Sequence, residues 1–160
     1  MTNRIDNWMK AAPDAFKALF SVSGYVAESG IEHATLELVK LRASQINGCA
    51  QCIDMHTKDA RAAGETEQRL YLLDAWREAA HLYTDRERAA LALTEAATRL
   101  GAHHVPDDVY AAAIAVYSEA ELVKLSLAIA VINAWNRMNI TFRVKAGDYK
   151  PGMLKQVKLA

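Results

Sequence analysis

The chain has 160 residues, 52% of them hydrophobic, which is enough for one domain with a substantial core. Its 19 basic and 19 acidic side chains balance, so charge gives no reason to expect nucleic acid or an anionic membrane as a partner. The most apolar stretch, 125–135, is short of the roughly 20 residues that span a bilayer. The first twenty residues carry several charges and lack the apolar run of a secretory signal. We therefore expect a cytoplasmic protein with reduced thiols.

The first half of the chain is predicted to form three helices. The first runs over 13–29 and opens with a proline, whose missing N–H costs nothing in a first helical turn. Thr35 is a candidate cap for the second helix, which stops at Asn47-Gly48 because this dipeptide favours a turn. The third helix covers about 49–64 and ends at a glycine suited to a left-handed C-terminal position.

Helical patterns continue through the second half. Residues 67–82 form a helical stretch with a candidate break at 74–76, and Pro106 opens a short helix. Two capping boxes open helices over about 84–101 and 118–139. The boxes are Thr84 with Glu87 and Ser118 with Glu121.

The last long helix is apolar on more than one side. Leu122, Leu125, Ile129 and Ile132 recur at spacings of three and four, as a buried stripe requires. A second apolar face indicates a helix that is either central or shared with another subunit. The tail 146–160 is expected to be irregular, on the surface or on a neighbouring subunit. The sequence thus predicts a single all-α domain over 1–160, with six to eight helices.

Two cysteines and a histidine form the segment most indicative of chemistry. Cys49 and Cys52 are three residues apart, near enough on a helix to form a reducible disulfide. His56 follows Cys52 by four residues, so all three side chains share one helix face. The helix dipole favours a thiolate in the first turn, which points to Cys49 as the more acidic thiol.

Other interpretations of this segment stay open. Both cysteines can be small core residues, and His56 a satisfied core histidine. A zinc site would need His56 and a carboxylate as well, because structural zinc takes four ligands and only two cysteines exist. Haem attachment is disfavoured because Ile53, and no histidine, follows the second cysteine.

The segment 37–64, ELVKLRASQINGCAQCIDMHTKDARAAG, resembles the core of the alkylhydroperoxidase D-like branch of the carboxymuconolactone decarboxylase family. The resemblance lies in a glutamate twelve residues before the first cysteine, an NGC turn, the cysteine pair, and a histidine four residues after it. The stretch 84–93, TDRERAALAL, is similar to the helix that follows in this family. The similarity covers roughly residues 34–100.

The resemblance implies a role for each motif residue. Peroxide is attacked by the second cysteine, Cys52, which becomes a sulfenic acid. Cys49 protonates the leaving group and then resolves the sulfenic acid to a disulfide. Glu37 and His56 relay protons. The peroxidase members have a further relay histidine just before the second cysteine, where this chain has Gln51, and an amide cannot pass on a proton as imidazole does.

Two points remain undecided at this stage. The dipole argument favours Cys49 as the acidic thiol, whereas the resemblance assigns attack to Cys52. By itself, Glu37 is equally compatible with a solvated helix face, because glutamate is usually exposed. Lys40 and Arg42 are expected on a solvated face for the same reason.

The expected activity is thiol-dependent reduction of hydrogen peroxide or organic hydroperoxides. The chain has no nucleotide-binding motif and no implied cofactor or metal, so electrons would come from an external dithiol or a thioredoxin-like partner. The resemblance also implies a homo-oligomer, as a trimer or hexamer. Two alternatives are kept, namely a lactone decarboxylase, and a non-catalytic redox-sensing oligomeric protein.

Overall fold

The computed structural model describes residues 2–102 and 104–153, and across these residues the fold is all helical, with no strand. The predicted all-α fold of six to eight helices is confirmed, since the described residues contain seven α-helices. They are α1 Pro13–Ala27, α2 His33–Asn47, α3 Ala50–Ala62, α4 Glu67–Tyr71, α5 Asp85–Arg99, α6 Asp107–Ile114 and α7 Glu119–Phe142. Short 3-10 helices cover Trp8–Ala11, Leu73–Ala75 and Ala80–Leu82.

The predicted helix starts agree with the structure except at α2. Both capping boxes form, with Thr84 and Ser118 each accepting from the backbone three residues later. The prediction that Thr35 caps α2 is wrong, because Glu32 occupies the N-cap and Thr35 is buried in the first turn. A threonine side chain that packs inside the core is not free to cap its helix.

The stretch 67–82 is one short α-helix followed by two 3-10 turns. Its buried residues recur every three positions, which matches the three residues per turn of a 3-10 helix better than 3.6. These residues are Leu70, Leu73, Trp76 and Ala79. The break expected at 74–76 is therefore confirmed, and the stretch departs from α geometry on both sides of it.

Helix α2 occupies the centre of the domain, packed against α3, α5 and α7. Leu36 and Val39 of α2 meet Leu125 and Ile129 of α7 in the main hydrophobic cluster, and all four are at most 2% exposed. This burial is the chief source of stability. It also holds the C-terminal half of α2 against α3 and α7, where the cysteine pair lies.

The segment after α7 folds back on α3 of the same chain. The Lys58 ammonium donates to the backbone oxygens of Gly147 and Tyr149, at 3.0 Å each, and Tyr149 is buried. The irregular tail is confirmed for 146–153, and the rest of that prediction, 154–160, lies outside the described residues.

No helix among the residues described has an apolar stretch long enough to cross a membrane.

Candidate active site

A tight turn between α2 and α3 places the cysteine pair. Gly48 ends α2 in the left-handed region at φ 69°, where a side chain would be strained, and its N–H caps the α2 carbonyls. Cys49 is the N-cap of α3, in extended conformation, and Cys52 lies in the first turn. The predicted helix start is thus correct to within one residue.

The two thiols are in direct contact and hidden from solvent. Both cysteines are free, their Sγ atoms are 2.6 Å apart, and the Cys49 thiol donates to Cys52. Cys49 is 1% exposed and Cys52 is 0% exposed. The pair is therefore placed for disulfide formation, in which the two sulfurs approach to about 2.05 Å.

The thiols differ in acidity, with Cys52 the more acidic. The hydrogen bond from Cys49 lowers the pKa of Cys52 to about 6, and amide donors from α7 and the charge of His56 act in the same direction. The same hydrogen bond, together with burial, raises the pKa of Cys49. The dipole-based expectation that Cys49 is the more acidic thiol is therefore wrong, because a specific donor outweighs the diffuse dipole.

Helix α7 supplies the amide donors that the sequence reasoning missed. Asn139 Nδ2 donates to Cys52 Sγ at 3.2 Å. Asn136, which is 0% exposed, donates to Ser44 Oγ at 3.0 Å and accepts from Asn47 Nδ2 at 2.8 Å. The available signal was the spacing of asparagines at 133, 136 and 139, which puts three amides on one face of an apolar helix.

Glu37 is buried beside His56, which excludes the solvated alternative for this glutamate. Glu37 is 4% exposed, and its Oε2 accepts from His56 Nδ1 at 2.9 Å. Burial alone would raise the pKa of the Glu37 carboxyl, but the His56 hydrogen bond and the charges of His56 and Lys40 lower it to about 2. The carboxylate is therefore ionised at any physiological pH.

The Glu37 bond also defines which nitrogen of His56 is free. A carboxylate acceptor keeps the proton on Nδ1, so Nε2 is the nitrogen that can exchange protons. Within the described residues, His56 Nε2 is buried without a hydrogen-bond partner, and so is Gln51 Oε1. No direct hydrogen bond joins His56 to either thiol in this part of the chain, and its influence on Cys52 is through charge.

Asp59 and Tyr149 extend the polar cluster and were also missed. The Tyr149 hydroxyl donates to the Asp59 carboxylate at 2.9 Å. Ligand atoms of Glu37, His56 and Asp59 lie within 4.8 Å of one another, a spacing at which a metal ion can bind. Each Glu37 oxygen is already paired, Oε2 with His56 and Oε1 with the Lys40 ammonium at 2.8 Å.

The expectation that Lys40 and Arg42 lie on a solvated helix face is wrong. The Lys40 side chain is 19% exposed and pairs with Glu37. The Arg42 side chain is 5% exposed and donates to Glu95 at 2.8 Å. Burial of these cations follows from the central position of α2, where each needs an acidic partner to offset the loss of hydration.

A cleft of about 450 Å³ lies beside the cysteine pair. Its wall is mainly apolar, with polar side chains from α2, α3 and α7, and Cys52 does not line it. The apolar residues include Trp8, Phe20, Met55, Val131 and Trp135. The polar lining residues are Glu37, Lys40, Gln51, His56, Asp59 and Asn139. The four predicted site residues are therefore brought together next to a space that can hold a small organic molecule.

The fold and the residues of this site define the protein class. Residues 13–96 match the sequence profile of the Carboxymuconolactone decarboxylase family. The chain belongs to this family, and within it to the alkylhydroperoxidase D-like branch.

Particular relatives agree with this placement. The chain is 44% identical over 148 residues to the uncharacterized protein YdfG of Bacillus subtilis (strain 168), covering 92% of this chain and 99% of YdfG. A crystal structure from Agrobacterium tumefaciens, of a protein of unknown function and candidate antioxidant defence protein AhpD, has 44% identity and a TM-score of 0.87. It covers 92% of this chain and 100% of that one.

A more distant structure shares the fold alone. The alkylhydroperoxidase AhpD core of an uncharacterized peroxidase-related protein from Ralstonia eutropha JMP134 has 18% identity and a TM-score of 0.73. The match covers 88% of this chain and 74% of that one.

Proposed function

We propose that this protein is a thiol-dependent peroxidase, which reduces hydroperoxides with the Cys49–Cys52 pair. The observation that carries the proposal is the unequal acidity of two thiols in contact. Cys52, with a pKa of about 6, is a thiolate at neutral pH, and Cys49 remains a protonated donor 2.6 Å away. A peroxidase needs both forms, because the thiolate is the nucleophile and the leaving oxygen needs a proton.

In the first step, the Cys52 thiolate attacks the terminal oxygen of the hydroperoxide. A sulfur–oxygen bond forms and the oxygen–oxygen bond breaks, so Cys52 is oxidised to a sulfenic acid and the peroxide is reduced. The departing alkoxide takes a proton from the Cys49 thiol and leaves as an alcohol, or as water from hydrogen peroxide. The raised pKa of Cys49 supports this role, because it keeps the proton in place until the leaving oxygen needs it.

In the second step, the Cys49 thiolate attacks Cys52 sulfur. The disulfide bond forms, and hydroxide leaves and becomes water by taking up a proton. An external dithiol, or a thioredoxin-like protein, then reduces the disulfide by thiol exchange and restores both thiols. The direct contact of the two sulfurs supports this step, since no large movement of α3 is needed to close the bond.

Proton transfer in this scheme is assigned to His56 and Glu37. The buried Glu37 carboxylate holds the His56 ring by Nδ1, which leaves Nε2 as the base that takes up and returns protons. Gln51 stands where the peroxidase relatives have a second relay histidine and cannot replace it in proton transfer. We therefore propose that protons in this protein pass through His56 and Glu37, without a second histidine.

Access of the peroxide requires a local movement. Cys52 has no exposed surface, although Asn139 and His56 form parts of both its surroundings and the cleft wall. A shift of the other side chains in this wall, with Asn139 kept on the Cys52 sulfur, would open a path to Cys52. The side chains that bury Cys52 also protect its thiol from non-specific oxidation.

The test is consumption of cumene hydroperoxide by the reduced protein, with excess dithiol, beside Cys52→Ser. We expect consumption above background by the wild type and none by the variant. With peroxide but without dithiol, Cys49→Ser should stop at a Cys52 sulfenic acid, detected by a dimedone adduct in mass spectrometry, whereas the wild type should go on to the disulfide. The absence of a trapped sulfenic acid in Cys49→Ser would refute the resolving role. Turnover of a muconolactone by the double Cys49→Ser, Cys52→Ser variant would instead favour the lactone decarboxylase.

One observation favours a second candidate, a redox-sensing oligomeric protein. Complete burial of Cys52 would slow a peroxidase but suits a switch that responds only to a sustained oxidising state. This candidate predicts no peroxide consumption by a protein with two titratable thiols. It also predicts different oligomeric states for the dithiol and disulfide forms, which sedimentation velocity would measure.

The proposal includes a homo-oligomer, as a trimer or hexamer, in the cytoplasm. Val123 and Ile140 of α7 are 69% and 44% exposed, and exposed apolar side chains of this size favour association. The balanced net charge opposes association only weakly. Light scattering of the reduced protein would measure the assembly.

A further inference from the structure

Three asparagines on one face of α7 are a feature that the proposed peroxidase scheme does not use. Asn133, Asn136 and Asn139 recur every three residues and face the end of α2 and the start of α3. Asn133 and Asn136 are at most 8% exposed. Buried amides in an apolar helix lose hydration, so each must find specific partners.

The partners divide the three asparagines into two kinds. Asn133 donates to Thr98 Oγ1 at 3.0 Å and to the Ile129 carbonyl at 2.9 Å, and Asn136 donates to Ser44. The bonds to Thr98 and Ser44 join α7 to α5 and α2. Asn139 donates to Cys52 Sγ at 3.2 Å and also lines the cleft. Among the three asparagines, Asn139 is therefore the one that both contacts the reacting sulfur and lines the cleft.

We propose that Asn139 is a further catalytic residue, whose amide Nδ2 stabilises the Cys52 thiolate from the side of the cleft. A sulfur anion in a buried site needs hydrogen-bond donors in place of water, and an amide N–H on a fixed helix supplies one without reorganisation. Asn136 holds its neighbouring turn of α7 against Ser44 and so positions Asn139. The role in turnover rests on the proposed function, whereas the effect on the thiolate does not.

Other groups around Cys52 could also stabilise its thiolate. From α3, the Cys49 thiol donates to it and His56 contributes charge; from α2, Glu37 and Lys40 lie behind His56. From α7, Asn136 and Asn139 are the polar contributors, and both are uncharged. Removing the Asn139 amide therefore leaves every titratable group of the site in place, which makes the substitution interpretable.

The experiment compares Asn139→Ala with the matched control Asn133→Ala in the reduced protein. The rate of Cys52 alkylation by iodoacetamide is followed against pH by mass spectrometry of the Cys52 peptide. We expect Asn139→Ala to raise the midpoint by about one pH unit, which lowers the rate at pH 6 by about fivefold. Asn133→Ala should keep the wild-type midpoint. An unchanged midpoint in Asn139→Ala would overturn the proposal.

A second variant separates a role in thiolate stabilisation from a role in packing. Asn139→Leu has nearly the same volume but no N–H donor, so its midpoint should rise as it does in Asn139→Ala. A purely structural role predicts instead that Asn139→Leu resembles the wild type. Peroxide consumption by the same proteins keeps the two proposals distinct. Shifted midpoints without consumption by the wild type would refute the peroxidase alone, and consumption with unshifted midpoints would refute the Asn139 assignment alone.

Discussion

Replacing Cys49 by alanine should raise the pKa of Cys52 well above its value of about 6, because the Cys49 hydrogen bond is the largest cause of that acidity. A hydrogen bond to a charged group contributes about 1.5–3 kcal/mol, which corresponds to about one to two pH units. The Cys52 midpoint in Cys49→Ala should therefore lie about one to two units higher. At pH 6, where about half of the wild-type Cys52 is thiolate, the thiolate fraction should fall to about a tenth or less.

The assay is the ultraviolet absorbance of the thiolate against pH, measured on Cys49→Ala and on Cys49→Ser. Each variant has one cysteine, so the titration reports Cys52 alone. Serine keeps a hydroxyl donor at the same position, so Cys49→Ser should retain a lower midpoint than Cys49→Ala. Equal midpoints in the two variants, both near 6, would show that Cys49 does not set the acidity of Cys52, and the reasoning would be refuted.

Three further predictions concern Glu37, Gln51 and the core. The pKa of Glu37 is about 2 in the folded protein against an ordinary 4.5, so the unfolded chain binds more protons in this window. The stability that Glu37 contributes, about 3 kcal/mol, should be complete above pH 4.5 and lost as pH falls to 2. Denaturant unfolding should show a loss over this window in the wild type that is about 3 kcal/mol larger than in Glu37→Gln, which keeps the other acidic carboxyls such as Glu95. Parallel pH profiles of the two proteins would contradict it. Gln51→His should raise the peroxidase rate by about tenfold or more by restoring a relay imidazole, and an unchanged rate would exclude the missing histidine as a limit. Leu125→Ala, at a fully buried site, should lower the free energy of unfolding by about 2–5 kcal/mol, measured by urea denaturation, whereas a loss below 1 kcal/mol would mean that the α2–α7 core repacks.

Local patterns in the sequence were sufficient for most of the fold. Capping boxes, the proline helix starts and the Asn47-Gly48 turn act over a few residues, so they predicted the elements to within a few positions. These patterns predicted the wrong local structure where a side chain packs in the core, as at Thr35. They also did so where buried residues recur every three positions, as between 70 and 79. In both cases tertiary packing overrides the local preference.

The sequence by itself determined the cysteine pair, its place at a helix start and the histidine on the same face, because these depend only on spacing along one helix. The tertiary structure alone decided which thiol is acidic, that Glu37 is buried against His56, and that Asn139 reaches Cys52 from 87 residues away. Those facts depend on how α2 and α7 pack around α3. Electrostatics in a buried site is controlled by the nearest donors and charges, and their distances are set by the packed fold.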